Sequence, residues 1–521
     1  MTGHIETKDV LVIGAGISGL RAATILQEKY GLDVIVLEAR DRVGGRTHTL
    51  EDPSFKYCDI GGAYIGSTQT RVNSLVEELG LELFKVNADG YDVEHYLGKR
   101  VLKKGALASW GSSFLGSLDA NNMWQLLDEM CHQVPLEGPW LANKAEEWDT
   151  MTLKQFLDQT CWTQFAKNAA TGYCQGMLGS EPHDLSLLFF LWYLRAGGGT
   201  VRNMEFNDGG AQEYKVLGGS QSICVKMAEK LGSDRIIFNS DVIHIDQTSD
   251  VTTITCANGL SYKAKYVIAT VPSSLLNRIR FTPNLPALKF QGAQRTPIGS
   301  VIKVIMFYEK AFWREKGLSG FFNSDIGPVE DGLDDTKPDG SHPAIMGFVA
   351  GDWARKFTTF PEEERKRLIC EQYQTIFDSP EALKPIRYFE KDWMSDKYAG
   401  GCYVGTFPPG VLTRYGKVMR DPFGRVHFAG TLTASMWVGY MDGAVESGER
   451  VAIEVAEMFG KVSAVEVACR SHDLLASEYP FMEYSFTEKH LMPSVPGFLA
   501  GMSVVGLGGL VLAAYVMHIR K

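Results

Sequence analysis

The chain opens with two short apolar runs separated by a stretch that has helical spacing. The run "KDVLVIGAG" ends in glycines, "ISGLRAATILQEKYG" has helical periodicity and ends at Gly31, and "LDVIVLEA" is apolar again. Strand, helix and strand in this order form a βαβ unit, in which a crossover helix joins two parallel strands. The pattern therefore predicts a parallel sheet at this end of the chain.

Further strand patterns lie in the middle and near the far end of the chain. Residues 235–272 contain several short alternating runs, with "NG" as a hairpin turn. Later, "GRVHFAGT" predicts a buried strand and "GYMDGAVESGERVAIEVAEMFG" predicts a long helix. The blocks between these pieces are more helical and less regular, so the strand–helix pieces are spread along the chain with other material inserted.

The C-terminal region differs from the rest of the chain. Residues 498–517, "FLAGMSVVGLGGLVLAAYVM", carry no charge over 20 positions, and His518, Arg520 and Lys521 follow. As a helix this stretch spans about 30 Å, the thickness of a bilayer core. We expect a transmembrane anchor at 498–517 after a connector at 461–497, with the rest of the chain on one side of the membrane. A buried globular helix is the alternative.

Composition narrows the classes of function. A chain of 521 residues is longer than one hydrophobic core usually accommodates, so we expect more than one domain. The net charge of -10 argues against a nucleic-acid partner. The 9 cysteines include no CxxC pair and no Cys/His group with zinc spacing, so we predict no metal site. Their scatter favours free thiols in a reducing compartment.

The first strand ends in a glycine motif with a mechanism. "GAGISG" places Gly14, Gly16 and Gly19 in the G-x-G-x-x-G spacing, and Glu38 ends the second strand. The first glycine allows a tight turn, the second admits a pyrophosphate, and the third permits close helix packing. An acid after the second strand accepts hydrogen bonds from a ribose. The motif alone is weak, but its place between strand and helix favours dinucleotide binding.

A second glycine loop follows at once. "LEARDRVGGRTHT" carries Gly44, Gly45 and Arg46, and "DIGGAYIG" comes next. An extended flavin dinucleotide needs such a loop, and an arginine can neutralise its phosphate. The sequence therefore predicts an α/β fold with a Rossmann-type FAD-binding domain and an inserted α+β domain. We assign the first to residues 1–84, 206–290 and 396–460, and the second to 85–205 and 291–395.

One cysteine has unusual surroundings. In "YAGGCYVGTFPPG", residues 398–410, Cys402 stands between a glycine pair and Tyr403. A core cysteine prefers bulky apolar neighbours, and a disulfide needs a second cysteine in an oxidising compartment. The residues alone leave open whether Cys402 is an inert buried thiol or a nucleophile at the edge of a cofactor, with the glycines making room for a flat ring.

Several segments together resemble the flavin-containing amine oxidases: "EARDRVGGRT", "DIGGAYIG", "GSVIKV", "GGCY", "FPPG", "HFAGT" and "GYMDGAVESGERVA". The cysteine segment and the C-terminal apolar stretch narrow the resemblance to the monoamine oxidases, and it runs through nearly the whole chain. It implies FAD-dependent oxidation of primary arylalkyl amines by dioxygen to an aldehyde, ammonia and hydrogen peroxide. It also implies that the inserted domain binds the substrate.

The resemblance assigns roles near the flavin ring. It implies that Cys402 is joined through sulfur to the flavin, and that Tyr403 and Tyr440 face each other across the path of the amine. Lys303, in the apolar run "PIGSVIKVIMFY", is expected to hold a water near the flavin. The alternative is an edge lysine that reaches solvent. Gln212 is expected to line the substrate space, or else to be a surface residue.

The resemblance also implies a set of FAD contacts. Val242 is expected to contact the adenine, Thr431 the ribityl or phosphate portion, and the helix that begins beside Tyr440 the pyrimidine end of the flavin. The full set is Gly14, Gly16, Gly19, Glu38, Arg40, Gly45, Arg46, Gly62, Ala63, Tyr64, Val242, Trp393, Cys402, Tyr403, Thr431, Tyr440 and Met441.

The sequence departs from the family pattern in the substrate region. Leu432 stands where an acidic residue is usual, Asp331 stands where an apolar or aromatic wall residue is expected, and "GGAQE" has an extra residue before Gln212. Substrate choice therefore stays open. The alternatives are a polyamine oxidase, an amino-acid oxidase, for which we identify no carboxylate-binding arginine, and a membrane-tethered flavoprotein without turnover.

The resemblance implies a cellular location as well. It places the protein in the mitochondrial outer membrane with its body facing the cytosol, although a tail anchor of the endoplasmic reticulum has similar physics. A homodimer is expected on resemblance alone.

Overall fold

The computed structural model describes residues 6–104, 113–205, 209–463 and 483–504. The strands are β1 Thr7–Ile13, β2 Val34–Leu37, β3 Thr49–Asp52, β4 Lys56–Asp59, β5 Tyr64–Ile65, β6 Leu83–Lys85, β7 Tyr91–Tyr96, β8 Lys99–Lys103, β9 Tyr214–Val216, β10 Ile236–Ile237, β11 Val242–Asp246, β12 Thr252–Cys256, β13 Ser261–Ala269, β14 Arg280–Thr282, β15 Val301–Phe307, β16 Leu318–Ser324, β17 Asp331–Asp334, β18 Ala344–Ala350, β19 Arg387–Asp392 and β20 Val426–Phe428.

The helices are α1 Ile17–Glu28, α2 Thr70–Glu78, α3 Phe114–Cys131, α4 Ala145–Thr150, α5 Leu153–Thr160, α6 Gln164–Leu178, α7 Leu187–Ala196, α8 Gln221–Leu231, α9 Ala287–Gln294, α10 Phe312–Glu315, α11 Gly351–Phe357, α12 Glu362–Phe377, α13 Leu412–Arg420, α14 Met441–Met458 and α15 Phe486–His490. Residues 495–504 are also helical. The 3-10 helices are Pro139–Leu141, Val201–Met204, Ser233–Arg235, Ser273–Arg278, Pro380–Leu383 and Thr431–Thr433.

The first sheet contains the predicted βαβ unit. Its strand order is β10-β2-β1-β13-β12-β11-β14, and β20 pairs with β13. Strand β1 pairs in parallel with β2 on one side and with β13 on the other. The pairing with β2 is parallel because α1 crosses back over the sheet, and the buried run from Val10 to Ile13 is apolar since both faces of the sheet are covered. The predicted α/β class is confirmed.

The second sheet is built from later parts of the chain. Its order is β19-β15-β18-β17-β16-β7-β8. Strand β15 lies inside this sheet, antiparallel to β18 and to β19, and all of its side chains are buried. The strands of the first sheet come from residues 7–37, 236–282 and 426–428, and those of the second from residues 91–103 and 301–392.

The packing of α1 and α14 fixes one wall of the functional region. The Ser18 and Ser447 hydroxyls are 2.9 Å apart, and a Cβ at Gly448 would lie 2.5 Å from the Ser18 carbonyl oxygen. The two helices therefore meet almost backbone to backbone, which carries the first turn of α14 to the carboxyl ends of β1 and β2.

The predicted anchor lies mostly outside the described residues. Within the four described ranges, no helix is both long enough and apolar enough to cross a bilayer. Of the predicted span at 498–517, only 498–504 belongs to those ranges.

Candidate active site

A cavity of about 490 Å³ is lined by residues that follow β1 and β2, by residues of β15 and β18, and by the first turn of α14. A position beyond the carboxyl ends of parallel strands is where open α/β sheets bind ligands. The predicted residues in its wall are Gly14, Gly16, Glu38, Arg40, Gly45, Arg46, Gly62, Ala63, Tyr64, Gln212, Val242, Lys303, Trp393, Cys402, Tyr403, Thr431, Tyr440 and Met441. Gly19 was also predicted to contact the cofactor, but it does not line the cavity.

The first glycine loop has the geometry of a dinucleotide turn. Gly14 has a φ of +106°, and a Cβ at Gly19 would lie 2.0 Å from the Gly14 carbonyl oxygen. Gly14 therefore makes the turn and Gly19 lets α1 pack on it. Glu38 follows β2, and its carboxylate accepts the N–H groups of Ala15 and Arg40, each at 2.8 Å. The carboxylate keeps lone pairs for further donors.

Three other glycines leave room on the cavity side. A Cβ at Gly16 would come no closer than 3.9 Å to the protein, and at Gly62 no closer than 4.0 Å. At Gly45 the nearest atom is the Cα of Gly16, at 3.6 Å. At Gly16 and Gly62 the protein itself has room for added atoms, so their lack of side chains serves what the cavity holds, whereas the φ of +57° at Gly45 also requires glycine.

Arginines fix the second glycine loop and join it to the cysteine segment. Arg42 donates to the carbonyl oxygens of Val43 at 3.1 Å and Gly45 at 3.0 Å. Arg46 donates from Nη1 to the Tyr403 carbonyl oxygen at 2.5 Å. Arg46 therefore lies beside the cysteine segment, so part of its hydrogen bonding serves this segment and not the predicted phosphate.

The glycine pair before Cys402 has a different purpose from the predicted one. Gly400 and Gly401 have φ of +69° and +138°, and a Cβ at Gly401 would lie 2.6 Å from the Gly299 carbonyl oxygen. Neither glycine lines the cavity. At Gly401 the interpretation that the glycine makes room for a flat ring is therefore wrong, because this glycine lets the segment pack against residues 298–299, where the Cys402 N–H donates to the Gly299 carbonyl at 3.0 Å. Gly400 turns the chain, and a Cβ there would come no closer than 3.2 Å to the Leu275 side chain.

The Cys402 thiol is buried in the cavity wall. Burial raises the pKa of the thiol to about 12, and the nearby charge of Arg46 acts in the opposite direction. The protein alone therefore keeps Cys402 as a thiol at neutral pH, whereas the sequence suggested a thiolate. All eight cysteines of the described residues are buried and free, and Cys402 is the one among them in the cavity wall.

Tyr440 stands at the start of α14 and is held by neighbours. Its ring stacks on Tyr193, with centroids 6.3 Å apart and 26° between planes, and meets Trp437 edge-on at 5.1 Å. Burial raises the pKa of Tyr440 to about 12, and its hydroxyl donates to the Met177 sulfur at 3.8 Å. With its amide oriented to satisfy its neighbours, Gln212 donates to the carbonyl oxygens of Met204 and Glu205, each at 3.0 Å.

Tyr403 contacts a different ring. It meets Phe348 edge-on, with centroids 5.4 Å apart. Its buried hydroxyl has no hydrogen-bond partner within the described part of the chain. Tyr403 and Tyr440 line the same cavity but, among the described residues, no ring contact joins them. This arrangement is compatible with a ligand between them, and the prediction that they flank an amine stays a prediction.

Lys303 points inward from β15 and is not an edge lysine. Its Nζ donates to the Gly61 carbonyl oxygen at 3.0 Å. It lies 5.7 Å from the Tyr64 ring centroid, and a second buried lysine, Lys215, lies 5.6 Å from the same centroid. Burial and the charge of Lys215 lower the pKa of Lys303 to about 8. Burial also acts to lower the pKa of Lys215, but Asp335 and Asp59 reverse the shift and raise it.

The turn into α14 is fixed by Thr431. Its hydroxyl donates to the Tyr440 carbonyl oxygen at 2.8 Å and accepts the Gly439 N–H at 2.8 Å. The Asp442 carboxylate accepts the Val72 N–H at 2.8 Å, and burial raises its pKa to about 7. Met441, the first helical residue, lines the cavity, so the positive end of α14 faces it. The Thr431 hydroxyl hydrogen serves the turn itself, and cofactor contact through Thr431 stays a prediction.

Of the departures noted in the sequence, Asp331 lies against the cavity wall. Asp331 opens β17 and is buried, and Asn323 donates to its carboxylate. A Cβ at Gly176, a wall residue, would lie 2.1 Å from the Asp331 Oδ2. Burial raises the pKa of Asp331 to about 7. The Leu432 side chain packs on Gly405. A Cβ at Gly405 would lie 2.9 Å from the Leu432 Cδ2 atom.

Comparison with known proteins decides the family. A family described as "Flavin containing amine oxidoreductase" matches residues 17–456. The chain belongs to this family. It is 47% identical over 497 residues to a flavin-containing amine oxidase of Oncorhynchus mykiss, covering 95% of this chain and 94% of that relative. It is 43% identical over 515 residues to the human flavin-containing amine oxidase B, covering 98% of each. The solved cyclohexylamine oxidase of Brevibacterium oxydans matches with a TM-score of 0.83 at 31% identity, covering 87% of this chain and 100% of that one.

The enzyme is therefore an FAD-dependent amine oxidase, and its cavity fits that cofactor. The open faces of Gly16, Gly45 and Gly62 admit a dinucleotide close to the backbone. Glu38 follows β2, the position at which dinucleotide folds carry an acid for a ribose, and the N-terminus of α14 offers positive charge to the same cavity. The predicted enzyme class and FAD requirement are confirmed by the family assignment.

Sequence reasoning missed several wall residues of this amine oxidase. The part of the cavity around Tyr403 and Tyr440, here called the amine end, is also lined by Tyr193 on α7, Met177 on α6 and Phe348 on β18. Their elements are apolar on almost every side, so periodicity does not show which residue faces a cavity. The stacked pair of Tyr193 and Tyr440 depends on two segments more than 240 positions apart, and nothing local signals it.

Proposed function

We propose that this enzyme oxidises primary arylalkyl amines to aldehydes. One amine, one dioxygen and one water give the aldehyde, ammonia and hydrogen peroxide. FAD, when bound, supplies the two-electron oxidation and passes the electrons to dioxygen. The observation that carries the proposal is the buried aromatic end of the cavity, where Tyr403, Tyr440, Tyr193 and Phe348 surround a space next to Cys402.

These rings would bind and orient the amine. The wall is apolar and buried, so it disfavours a charged ammonium and favours the neutral amine. The negative ring faces of Tyr403 and Tyr440 attract the N–H hydrogens of the amine and restrict its approach. Gln212 is fixed by two carbonyl acceptors in the same cavity wall, and the Tyr440 hydroxyl donates to the Met177 sulfur. The free hydroxyl of Tyr403 offers one polar contact in an otherwise dry space.

Lys303 would supply the positive charge of the site. With a pKa of about 8, it is mostly protonated at neutral pH and loses its charge a little above it. Its Nζ keeps one bond to the Gly61 carbonyl and has two further hydrogens for a water or an oxygen species. The N-terminus of α14 adds a second positive potential on the opposite side.

We also propose that Cys402 holds the flavin covalently through its sulfur. The new C–S bond would replace the S–H bond of Cys402 and one C–H bond of a flavin methyl group, with the two electrons and two protons going to dioxygen as hydrogen peroxide. The thiol lies in the cavity wall and forms no disulfide with another cysteine of the described residues. Arg46, beside the same segment, favours loss of the thiol proton during attachment. In acid-denatured, washed protein the flavin should remain with wild type and wash out with Cys402→Ala. Flavin that washes out of wild type would overturn this proposal.

The test of the main proposal is peroxide release from the detergent-solubilised enzyme over an amine panel. The panel contains benzylamine, phenethylamine, tyramine, serotonin, putrescine, spermine and two amino acids. We expect turnover of the arylalkyl amines and none of spermine or the amino acids. Turnover of spermine or putrescine alone would contradict the proposal while retaining the family.

One observation favours a second candidate, an amine oxidase acting on substrates with a second cationic group. The Asp331 carboxylate lies directly against Gly176 of the amine end. A solved putrescine oxidase bound to putrescine matches this chain with a TM-score of 0.82 at 32% identity. If this candidate holds, Asp331→Asn should reduce kcat/KM for diamines far more than for phenethylamine. Equal effects on both substrates would exclude it.

We further propose attachment to the mitochondrial outer membrane through residues 498–517, with the body facing the cytosol, and a homodimeric state. The uncharged 20-residue stretch and the relatives named above support the anchor.

We also retain the division into an FAD-binding domain and a substrate domain at the predicted boundaries, which the separate strand sets of the two sheets support. A chain shortened after Gly497 should leave the membrane fraction, and light scattering of the detergent-solubilised enzyme should give a dimer mass.

A further inference from the structure

The segment just before the apolar C-terminal stretch packs on the body of the enzyme. Residues 483–488, here called the strap, begin α15 with a capping box between Ser485 and Glu488. The Glu488 carbonyl oxygen accepts hydrogen bonds from Asn121 at 3.1 Å and Gln125 at 2.9 Å, both on α3. The strap is therefore held by specific polar contacts and not by apolar packing alone.

Arg202 is the first link from the strap to the cavity wall. It belongs to the 3-10 helix Val201–Met204. Its guanidinium pairs with the Glu488 carboxylate, donates to the Glu483 carbonyl oxygen at 3.2 Å, and lies 4.0 Å from the Tyr484 ring centroid. The pair with Glu488 is well shielded, since the Arg202 side chain is 13% exposed and that of Glu488 is 5% exposed. Three contacts from one segment thus determine the position of this arginine.

Asp128 is the second link. Its Oδ2 accepts the hydroxyl groups of Tyr484 at 2.8 Å and Thr200 at 2.6 Å, and its Oδ1 accepts the Val201 N–H at 2.9 Å. One buried carboxylate therefore joins α3, the strap and the start of the 3-10 helix. Hydrogen bonds to a charged acceptor contribute more than neutral ones, so each of these bonds restrains its donor firmly.

The 3-10 helix leads directly into the amine end of the cavity. The carbonyl oxygens of Met204 and Glu205, at its C-terminal end, accept both amide hydrogens of Gln212. Gln212 and Tyr440 both line the cavity. A shift of the 3-10 helix would therefore move the acceptors that orient Gln212 in the cavity wall beside Tyr440.

We infer that the strap is a positioning element of the amine cavity: through Asp128 and Arg202 it fixes the 3-10 helix Val201–Met204, which orients Gln212 for substrate binding. The part about substrate rests on the proposed function. The strap thus serves the cavity in addition to leading the chain toward its C-terminal stretch. A purely mechanical attachment of the tail would not require contacts that converge on this one wall segment.

The test uses full-length enzyme in detergent with two conservative variants. Tyr484→Phe keeps the ring under Arg202 and removes only the hydroxyl that donates to Asp128. Glu488→Gln removes the charge that pairs with Arg202 but keeps a residue able to complete the capping box. The matched control is Lys489→Ala, which removes an exposed pair with the Glu483 side chain and touches neither link.

Two readouts decide the inference. Amide hydrogen exchange of the peptide covering residues 200–205 should become about three- to tenfold faster in both variants, as expected for weakening one charged hydrogen bond. The KM for phenethylamine should rise about threefold or more, with kcat and flavin content within twofold of wild type. The control should match wild type in both readouts.

Unchanged exchange at residues 200–205 in both variants would overturn the inference, as would faster exchange with an unchanged KM. A joint fall in flavin content, kcat and melting temperature would also overturn it, because that is general destabilisation. Failure of wild type to oxidise phenethylamine would count against the proposed function instead, and the exchange readout would still decide whether the strap holds the wall.

Discussion

The two ends of the cavity are built on different principles. The dinucleotide end contains much backbone: glycines 14, 16 and 45 and the Glu38 carboxylate come from one early stretch of the chain, and residues such as Val242 complete the wall. The amine end is formed by side chains from α6, α7, β15, β18 and the residues around Cys402 and Tyr440. Backbone recognition suits a cofactor that is constant, whereas side chains can change the substrate without disturbing the fold.

The difference is sharpest for two glycines of the same motif. Gly19→Ala would place a Cβ 2.0 Å from a backbone oxygen, whereas Gly16→Ala meets no protein atom within 3.8 Å. We expect Gly19→Ala to cost several kcal/mol through displacement of α1, and to prevent accumulation of folded enzyme.

Gly16→Ala is its matched partner. It should leave the protein folded but reduce bound flavin strongly, because the methyl group enters the space of the dinucleotide. Circular dichroism and flavin stoichiometry separate the two effects. Full flavin content in folded Gly16→Ala would show that this turn does not approach the cofactor.

The two buried lysines beside Tyr64 provide a second comparison. Lys215→Met leaves Asp335 and Asp59 as unpaired buried carboxylates, which should cost about 3–5 kcal/mol. Lys303→Met removes a buried cation whose pKa is lowered to about 8, so it should stabilise the enzyme near pH 7. Melting temperatures of both variants against wild type check the opposite signs.

The pH dependence of this pair follows from their pKa shifts. Between about pH 8 and the ordinary lysine pKa of about 10.4, the unfolded chain holds a proton at Lys303 that the folded enzyme has lost. Wild type therefore gains stability as the pH rises through this window, and the advantage of Lys303→Met should shrink. Lys215, with its pKa raised, stays charged there, so the Lys215→Met penalty should stay constant. A constant advantage of Lys303→Met would contradict the shift.

The smallest expected effects concern the two tyrosine hydroxyls. Tyr440→Phe removes a hydroxyl that donates to the Met177 sulfur at 3.8 Å, so it should cost about 0.5 kcal/mol of stability, with a several-fold higher KM for phenethylamine. Tyr403→Phe removes a buried hydroxyl without a partner in the described residues, so the stability of the enzyme should stay the same or rise slightly. Thermal melting and steady-state kinetics compare them. Equal destabilisation would show that Tyr403 is bonded as well.

The same comparison explains what the sequence could predict. The glycine turn, Glu38 and the strands around them follow from local spacing, since turn geometry and strand burial are local properties. The position of Lys303 inside an apolar strand could also be predicted from the sequence. The purpose of Gly401 could not, because the oxygen that its Cβ would meet belongs to Gly299, a hundred residues away. Likewise, Tyr193 and Phe348 reach the cavity only through packing of distant elements.

The central claim is that the buried aromatic end of the cavity oxidises amines with FAD. The most direct measurement mixes phenethylamine with the flavin-loaded enzyme in the absence of dioxygen and follows the visible absorbance of the flavin. We predict loss of the yellow colour within the time of one turnover, its return on admission of air, and one hydrogen peroxide per aldehyde formed. Flavin that keeps its colour with every amine tested, in folded protein with full cofactor content, would contradict the account.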